Sequence, residues 1–385
     1  MRTLCIDGWR RVNHSIAMVN QHQMLALLDQ PGLRLFHRDV PYFMPHWDAK
    51  LLPAGFAEAE QQRIDAVPAP APGQVLDCVL RISSPFRTVL NPAQKTHTFM
   101  VTECALVPAC FDAPLGDRAP FTQGQNRILT PSAWSRARLV EHGFDADGIV
   151  VLPHGVNANT FRPLGPADRA AARAQLGVAE DETLFVNVGV ATWNKGLDLL
   201  VQAFAPVRQR HRRARLLLKE NKALYGLGVD RVLADVQRAA PGLVDSHVLA
   251  GISVISSPLD QTQLRTLYAV ADAYVSPYRA EGFNLPVLEA MACGTPVIVT
   301  AGGATDDFCP PGLAQRVRAR PGLRADAPDD VGPFLVPDPD ALIDALDSVA
   351  VHLGQRDDAR LHAERSALLA RLSWPAVVSQ LAALV

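Results

Sequence analysis

Two glutamates stand around one predicted helix start in the C-terminal half of the chain: Glu281 precedes it and Glu289 lies in its second turn. Pro286 suits the first helical position and Gly294 suits the helix end, so the pattern predicts a helix over residues 285–293. A turn and an apolar strand follow, which is typical of a parallel α/β sheet. The N-terminus of such a helix attracts anions, because its N–H groups lack intrahelical partners.

Carboxylates beside an anion site suit a ligand that carries hydroxyl groups as well as phosphate. An ionised carboxylate only accepts hydrogen bonds, and a sugar diol donates two. The backbone of Phe283, Asn284 and Leu285 would cradle the phosphates, and the two glutamates could each bind a different sugar of a nucleotide-sugar. The alternative is structural: Glu289 favours the N-terminal half of its helix, and Glu281 is a solvated loop charge.

Two lysines follow neighbouring strands of the same predicted sheet. Lys195 comes after an apolar strand over residues 184–189, and Lys219 ends the next strand, over residues 214–219. Both ammonium groups could neutralise a diphosphate, because the carboxyl ends of parallel strands meet at one edge of the sheet. For Lys219, a lysine that extends from an exposed strand end into solvent is an equal alternative.

The string EGFNLPVLEAMACGTPV, at residues 281–297, resembles the double-glutamate signature of glycosyltransferase family four, retaining enzymes of the GT-B fold. The resemblance implies that Glu281 lies near the transferred sugar, that Glu289 binds the nucleotide ribose, and that the amides of residues 283–285 meet the diphosphate and sugar. Asn284 stands where many members carry glycine. The implied α/β fold has two Rossmann-like doubly wound domains facing a central cleft, with a C-terminal helix crossing back to the N-terminal domain.

The segment NVGVATWNKG resembles the phosphate-binding loop of the same family. Lys195 and Gly196 match the pattern, whereas Val190 occupies the place of an arginine, and Lys219 is the candidate replacement for that cation.

Two further segments resemble the family less completely. Gly251 and Ile252, after a predicted strand over residues 243–249, resemble the segment whose backbone contacts the nucleobase. The string PHGVN resembles the inter-domain segment, with Asn157 in place of the usual aspartate.

Signals on the N-terminal side are weaker. Family members commonly have paired glycines in the first loop; here Arg10, Asn13 and His14 are the candidates for acceptor or phosphate contacts. Glu103, at the end of a predicted strand over residues 98–102, is a candidate for an acceptor hydroxyl. For the loop residues the alternative is a surface polar side chain or a helix cap.

The chain has 385 residues, 48% of them hydrophobic, which is too long for one ordinary core and predicts two domains. We predict an acceptor-side domain over residues 1–164, a nucleotide-sugar domain over residues 165–370 and a returning helix over residues 371–385. Residues 310–330 are predicted to form a surface excursion. The net charge of −2 argues against nucleic acid as a main partner and allows at most peripheral membrane contact.

The sequence predicts neither a metal site nor a targeting segment. The six cysteines lack the paired short spacing of zinc ligands, and the aspartates of the strings DAD (145–147) and DPD (338–340) suit turns or helix caps. No stretch approaches the roughly 20 apolar residues of a spanning helix, and no signal peptide is apparent. We therefore expect a cytoplasmic protein that needs no metal or other cofactor.

The first functional hypothesis is a retaining transferase that moves a hexosyl-type sugar from a UDP- or GDP-linked donor to an acceptor hydroxyl, in glycan or glycoconjugate biosynthesis. The acceptor is left open among a glycan, a lipid-linked sugar, a protein and a small molecule. One alternative is a sugar-nucleotide epimerase or hydrolase, which would need additional acid–base groups. The other is a degenerate nucleotide-sugar-binding protein, which the valine at position 190 favours.

Overall fold

The computed structural model describes residues 1–323, 326–327, 331–352 and 358–385. The chain forms two compact units. Unit 1 consists of Met1–Asn157 together with Arg371–Val385, and unit 2 of Ala158–Ala370. The sequence pattern puts the first boundary after residue 164, whereas the contacts divide the chain after Asn157.

Unit 1 contains a six-stranded parallel sheet. Its strands are β1 (Arg2–Gly8), β2 (Leu33–Asp39), β3 (Cys78–Ile82), β4 (Thr96–Phe99), β5 (Arg127–Thr130) and β6 (Ile149–Val151). Its first helices are α1 (Ser15–Leu28), α2 (Glu58–Asp65) and α3 (Ala133–Glu141). The spatial order is β2-β1-β3-β4-β5-β6, so the direction of strand addition reverses between β1 and β3.

The two faces of β1 enter different apolar clusters. Leu4 and Ile6 point to one face and Cys5 to the other, because side chains alternate along a strand. The first face packs against helix α1, whose Met24 and Leu27 are buried. The second face forms a smaller cluster of Cys5, Phe36, Leu76 and Val79.

Unit 2 contains a second six-stranded parallel sheet and an antiparallel hairpin. The sheet strands are β7 (Thr183–Val188), β8 (Ala214–Lys219), β9 (Ile252–Ile255), β10 (Ala273–Ser276), β11 (Val297–Thr300) and β12 (Ala314–Val317). The hairpin strands are β13 (Ala319–Pro321) and β14 (Leu335–Pro337). The order β12-β11-β10-β7-β8-β9 reverses between β7 and β10. The loops that follow β7 and β10 are therefore neighbours at the carboxyl edge, where open α/β sheets bind ligands.

The remaining helices connect these strands and complete the chain. They are α4 (Pro166–Gln175), α5 (Leu197–Arg210), α6 (Lys222–Tyr225), α7 (Val229–Ala239), α8 (Ser246–Leu249), α9 (Gln261–Val270), α10 (Leu285–Ala292), α11 (Pro339–Val351), α12 (Asp358–Leu372) and α13 (Trp374–Leu384). The core of unit 2 brings Leu200 and Phe204 of α5 against Phe185, Leu216 and Val275 of three strands.

The C-terminal helix α13 belongs to unit 1, in agreement with the returning helix that the family resemblance implies. Its Trp374 and Val378 are buried in the same core as Met24 of α1. The Trp374 ring stacks on His22 at 5.4 Å and lies 6.3 Å from His154. Burial lowers the pKa of each of these histidines to about 3, so both are neutral at physiological pH.

The predicted strand over residues 243–249 is wrong, because helix α8 occupies this position and β9 begins only at Ile252. Asp245 caps the helix, since its carboxylate accepts a hydrogen bond of 2.8 Å from the N–H of Val248. Val244 and Val248 are both buried and lie one helical turn apart. The sequence pattern predicts a strand here because a short apolar run is compatible with either a helix or a strand.

Two stretches contain more regular structure than their composition indicates. Residues 310–330 include β12, an edge strand of the sheet, so the predicted surface excursion is wrong there. Its Ala314 and Val317 are buried and the two residues between them are exposed, a pattern without clear alternation. Residues 324–325 and 328–330 lie outside the described residues. The proline- and alanine-rich stretch over residues 45–72 contains helix α2.

Candidate functional site

Two loops meet at the carboxyl edge of the unit 2 sheet, beside the N-terminus of helix α10. The loop after β7 carries Lys195, and the loop after β10 carries Glu281. The Nζ atom of Lys195 lies 2.8 Å from Oε1 of Glu281. The glutamate side chain is 8% exposed and the lysine side chain 23%. The structure thus brings together the two residues predicted to carry the chemistry.

Backbone contacts hold these two loops together. Gly196 has φ of 69°, and a Cβ atom there would lie 2.1 Å from the carbonyl oxygen of Pro277, so the position requires glycine. The carbonyl of Asn194 accepts a hydrogen bond of 2.7 Å from the N–H of Arg279. The Asn194 side chain in turn donates one of 3.1 Å to the carbonyl of Ala280. The turn that carries Lys195 is therefore fixed by the neighbouring loop.

Arg279 connects several segments of this region, and sequence reasoning did not single it out. Its guanidinium forms two parallel hydrogen bonds with Asp198, of 2.8 and 2.6 Å. It also donates a bond of 2.8 Å to the carbonyl of Trp193 and stacks 4.8 Å from the centre of the Trp193 ring. The side chain is 9% exposed, so this pairing is shielded. The sequence signal that could have identified Arg279 is its position two residues before Glu281.

The hairpin β13–β14 packs behind the same loop. The ring of Phe334 meets that of Trp193 edge to face at 5.0 Å, so Trp193 contacts both Phe334 and Arg279. The N–H of Leu335 donates a hydrogen bond of 2.7 Å to the carbonyl of Arg279. The hairpin therefore supports the turn that carries Lys195.

The residues before helix α10 use their side chains inside the unit. Asn284 has φ of 74°, a left-handed conformation that asparagine tolerates better than most residues. Its side-chain amide donates a hydrogen bond of 2.8 Å to Oγ of Ser276. The Phe283 ring stacks on Phe308 at 4.5 Å. Leu285 begins the helix and is half-buried. The side chain of Asn284, at the position where many members of the resembling family carry glycine, is therefore held against strand β10.

Glu289 is buried one turn into helix α10. Its Oε2 accepts a hydrogen bond of 2.8 Å from the hydroxyl of Tyr268. Burial raises the pKa of Glu289 to about 8, and the Tyr268 hydroxyl partly opposes this rise. Glu289 is consequently largely protonated at pH 7 before any ligand binds.

Lys219 ends β8 at the same carboxyl edge as Lys195. Its ammonium donates to the carbonyl of Glu220, and burial lowers its pKa. The carboxylate of Glu220 is occupied elsewhere: it accepts hydrogen bonds of 2.6 Å from Val229 N–H and 2.7 Å from Ser256 Oγ. The part of Lys219 in the site therefore rests on its position at the carboxyl edge of the sheet.

Gly251 and Ile252 lie at the opposite edge of the sheet. Gly251 precedes β9 and Ile252 is its first residue, so neither residue follows the strand. Gly251 packs against Arg208, because a Cβ atom there would lie 2.8 Å from Nε of that arginine. The expectation that Gly251 and Ile252 follow a strand is therefore wrong, and their contact with a nucleobase stays a prediction. Ser256 follows the strand at the carboxyl edge.

The candidates in the first loop of unit 1 have structural tasks. Arg10 is buried and pairs with both oxygens of Asp39, at 2.7 and 2.8 Å. His14 caps helix α1 through Nδ1, which accepts a hydrogen bond of 3.2 Å from the N–H of Ile16. The backbone N–H of Asn13 donates to Leu52 at 2.8 Å.

Glu103 lies four residues beyond Phe99, the last residue of β4. Its carbonyl accepts a hydrogen bond of 2.6 Å from the indole N–H of Trp134. The predicted strand over residues 98–102 therefore ends too late, and Glu103 belongs to the following loop.

Among the described residues, no group of three or more histidine, cysteine or acidic side chains is placed to hold a metal ion. In the same part of the chain, no helix combines the length and apolar character that crossing a membrane requires.

Comparison with known proteins agrees with the signature in unit 2. Residues 182–351 match the family described as glycosyl transferases group 1. The D-inositol 3-phosphate glycosyltransferase of Frankia alni is 34% identical over 230 residues, which cover 58% of this chain and 50% of that protein. The same-named protein of Xylanimonas cellulosilytica is 32% identical over 60% of this chain and 50% of its own length. The chain thus spans about half the length of these curated relatives.

Solved structures with a similar fold align over the full chain. A glycosyltransferase of Rickettsia africae has a TM-score of 0.68 at 15% identity, covering 100% of this chain and 98% of that one. The Anabaena protein HepE, solved with UDP and glucose, has a TM-score of 0.65 at 13% identity with the same coverage. Identities this low establish the fold alone. Residues 182–351 therefore form a domain that matches the glycosyl transferases group 1 family, and the chain as a whole has the two-domain fold of these solved glycosyltransferases.

Proposed function

We propose that this protein is a retaining glycosyltransferase that moves a hexosyl-type sugar from a nucleotide-diphosphate-sugar to an acceptor hydroxyl. The observation that supports it best is the pairing of Lys195 with Glu281 beside the N-terminus of helix α10. This site lies where the strand order reverses, and it combines a cation, a carboxylate and a helix N-terminus. Such a combination suits a ligand with both phosphate and hydroxyl groups.

The reaction requires stabilisation of a leaving diphosphate. The bond between the anomeric carbon and the diphosphate oxygen breaks, and its electron pair stays on that oxygen. The Lys195 ammonium and the backbone of residues 283–285 would stabilise the new charge, which is commonly the largest catalytic contribution of a protein. The acceptor oxygen bonds to the anomeric carbon on the face that the diphosphate leaves, and its proton passes to a diphosphate oxygen. Glu281 would position the sugar.

A UDP- or GDP-linked sugar is the proposed donor. The structural neighbour HepE was solved with UDP and glucose, which supports a donor of this class for the shared fold. Glu289 would bind the ribose hydroxyls, and Lys219 would supply the second cation that Val190 does not. We assign the donor to unit 2 and the acceptor to unit 1, where Arg10, Asn13, His14 and Glu103 were the sequence candidates. The reaction is proposed to need no metal.

Two other functions have less support. An epimerase would need further acid–base groups around the sugar, and Lys195 and Glu281 are already assigned to the leaving group and to sugar positioning in the proposed transfer. A degenerate binding protein would bind the donor without transferring its sugar, and the assay described next distinguishes the two.

The test is a transfer assay on the full chain. The protein is screened by thermal shift with UDP and GDP, then incubated with the sugars of the nucleotide that binds and with a panel of acceptors. We expect release of nucleoside diphosphate that depends on acceptor, with the anomeric configuration retained in the product by NMR. An altered donor without acceptor would indicate an epimerase, and binding without turnover would indicate a degenerate protein.

A further inference from the structure

Three arginines of unit 1 surround one buried aspartate near the carboxyl edge of its sheet. Asp7 of β1 is paired in register with Arg38 of β2 on one side and Arg81 of β3 on the other. Arg87, from the loop after β3, approaches the same carboxylate at 4.0 Å. We call Asp7, Arg38, Arg81 and Arg87 the arginine cluster.

The arginines of the cluster are incompletely paired. Arg38 forms two hydrogen bonds with Asp7, of 2.7 and 3.1 Å. Arg81 donates one hydrogen bond of 2.7 Å to the carbonyl of Val89, while its Nε is buried without a hydrogen-bond partner in the described part of the chain. Burial and the neighbouring Arg87 lower the pKa of Arg81, because both disfavour its charge.

Positive charge exceeds negative charge around Asp7. Cys5 adds a neutral thiol contact at 3.6 Å to the aspartate. The carboxylate of Asp112 lies near Arg81 as well, but it is held by the N–H and hydroxyl of Thr88 at 2.8 and 3.0 Å. Like charges gathered in a partly buried site repel one another, and a bound anion would relieve that repulsion.

The cluster is open to solvent on its cationic side. The side chains of Arg38 and Arg87 are 46% and 50% exposed, whereas that of Asp7 is 7% exposed. Asp7 and Arg81 lie on β1 and β3, the two strands between which the strand order reverses. Ligands of open α/β sheets bind at such a reversal, next to the carboxyl ends of the strands.

We propose that the arginine cluster binds the phosphomonoester group of a small molecule. Such a group carries a charge of about −1.5 to −2 near neutral pH and three acceptor oxygens, which suits several guanidinium donors. A carboxylate brings one charge and two oxygens, and leaves more of the repulsion in place. The cluster is separate from the donor site proposed for unit 2, and its occupancy does not require sugar transfer.

The test is calorimetric titration of the full chain with glycerol 3-phosphate. Arg87→Gln should weaken binding by at least about tenfold, because it removes a charge-assisted donor. Arg87→Lys, which keeps the charge and loses the planar fork, should bind with intermediate affinity. Arg87 is half exposed and its contact with Asp7 is long, so we expect both variants to melt at the wild-type temperature.

Two controls locate the binding. Arg34→Gln removes an exposed charge from the same face of β2, and Lys222→Gln removes an exposed cation of unit 2; neither should change the affinity by more than about twofold. Wild-type affinity in Arg87→Gln would overturn the proposal, as would equal weakening by Arg34→Gln. Tighter binding of glucuronate, or of phosphatidylglycerol vesicles, than of glycerol 3-phosphate would overturn the assignment to a phosphomonoester.

Discussion

Lys195 and Glu281 form an ion pair between the two loops that follow β7 and β10, with 2.8 Å between Nζ and Oε1. Their side chains are largely shielded from water, so removing one partner leaves an uncompensated charge in a place that solvent screens poorly. A bound diphosphate would compete with Glu281 for the lysine. The pair therefore links recognition of the leaving group to the position of the glutamate that would meet the sugar.

We expect Lys195→Gln and Glu281→Gln each to lower kcat for transfer by about 10²–10³-fold, the usual effect of removing one stabilising group. The double variant should be little worse than the poorer single variant, because residues that act as a unit are not additive. Lys222→Gln is the control, since it breaks an exposed pair with Asp230 of 3.1 Å. Steady-state kinetics measure kcat for the single and double variants. If the loss in the double variant equals the product of the two single losses, Lys195 and Glu281 do not act as a unit.

Arg279→Lys should lower kcat by roughly tenfold with a smaller change in the donor KM, because a lysine keeps the charge but cannot form the paired hydrogen bonds to Asp198. Asp198→Asn should act in the same direction. Arg318→Lys is a matched control, since Arg318 pairs with Asp338 at 2.8 Å on the exposed surface. A loss of thermal stability without any change in kcat would show that Arg279 supports the fold but does not position Lys195.

Nucleoside diphosphate binding should depend on pH through Glu289. The carboxyl group is protonated below its pKa of about 8, and the ionised form is the better acceptor for ribose hydroxyls. Affinity should therefore rise with pH, by up to about tenfold per unit below pH 8, and level off above it. Glu289→Gln should bind more weakly and lose this dependence. Calorimetry from pH 6 to pH 9 measures the effect, and an unchanged slope in Glu289→Gln would count against it.

Unit 1 should lose stability in mild acid because of His22 and His154. Each has a folded pKa of about 3, below the unfolded value of about 6.5, so the unfolded chain binds protons first as the pH falls. Their contribution is fully present above pH 6.5 and decreases below it, by about 2 kcal/mol per histidine at pH 5. Urea unfolding at pH 5 and pH 7 tests this. His22→Phe should reduce the difference, whereas His352→Gln, at an exposed site, should leave it unchanged.

Transfer should proceed without added metal and should persist in chelator, because Lys195 and the helix α10 backbone are proposed to stabilise the leaving group. An assay of the purified protein with EDTA, and then with magnesium or manganese, measures this. Activity that appears only after the metal is added would contradict the proposed mechanism.

The sequence predicts local features of the site well. Helix α10 runs Leu285–Ala292 against the predicted residues 285–293, because Pro286 near its start and Gly294 after its end act within a few residues of themselves. The apolar strand predicted to follow the turn is present as β11, Val297–Thr300. Lys195 and Glu281 could be placed at one sheet edge because both follow strands of a parallel sheet.

Contacts between distant segments could not be predicted. Arg279 and Asp198 belong to different loop–helix units, and nothing in either local pattern specifies their pairing. The Asn284 side-chain amide donates a hydrogen bond to Ser276, a contact that only the tertiary fold specifies. Helix α8 was misread as a strand because a short apolar run fits either period and Asp245 was not recognised as its cap.

The close approach of Gly196 to Pro277 limits the changes that these two loops tolerate in engineered or divergent proteins. Any side chain at position 196 would push the two loops apart, since a Cβ atom would lie 2.1 Å from the Pro277 carbonyl oxygen. We therefore expect that lengthening one loop, or replacing it with the loop of a relative, requires a matching change in the other loop. Chimeras that alter donor preference should transplant residues 189–196 and 277–284 together, as a single cassette.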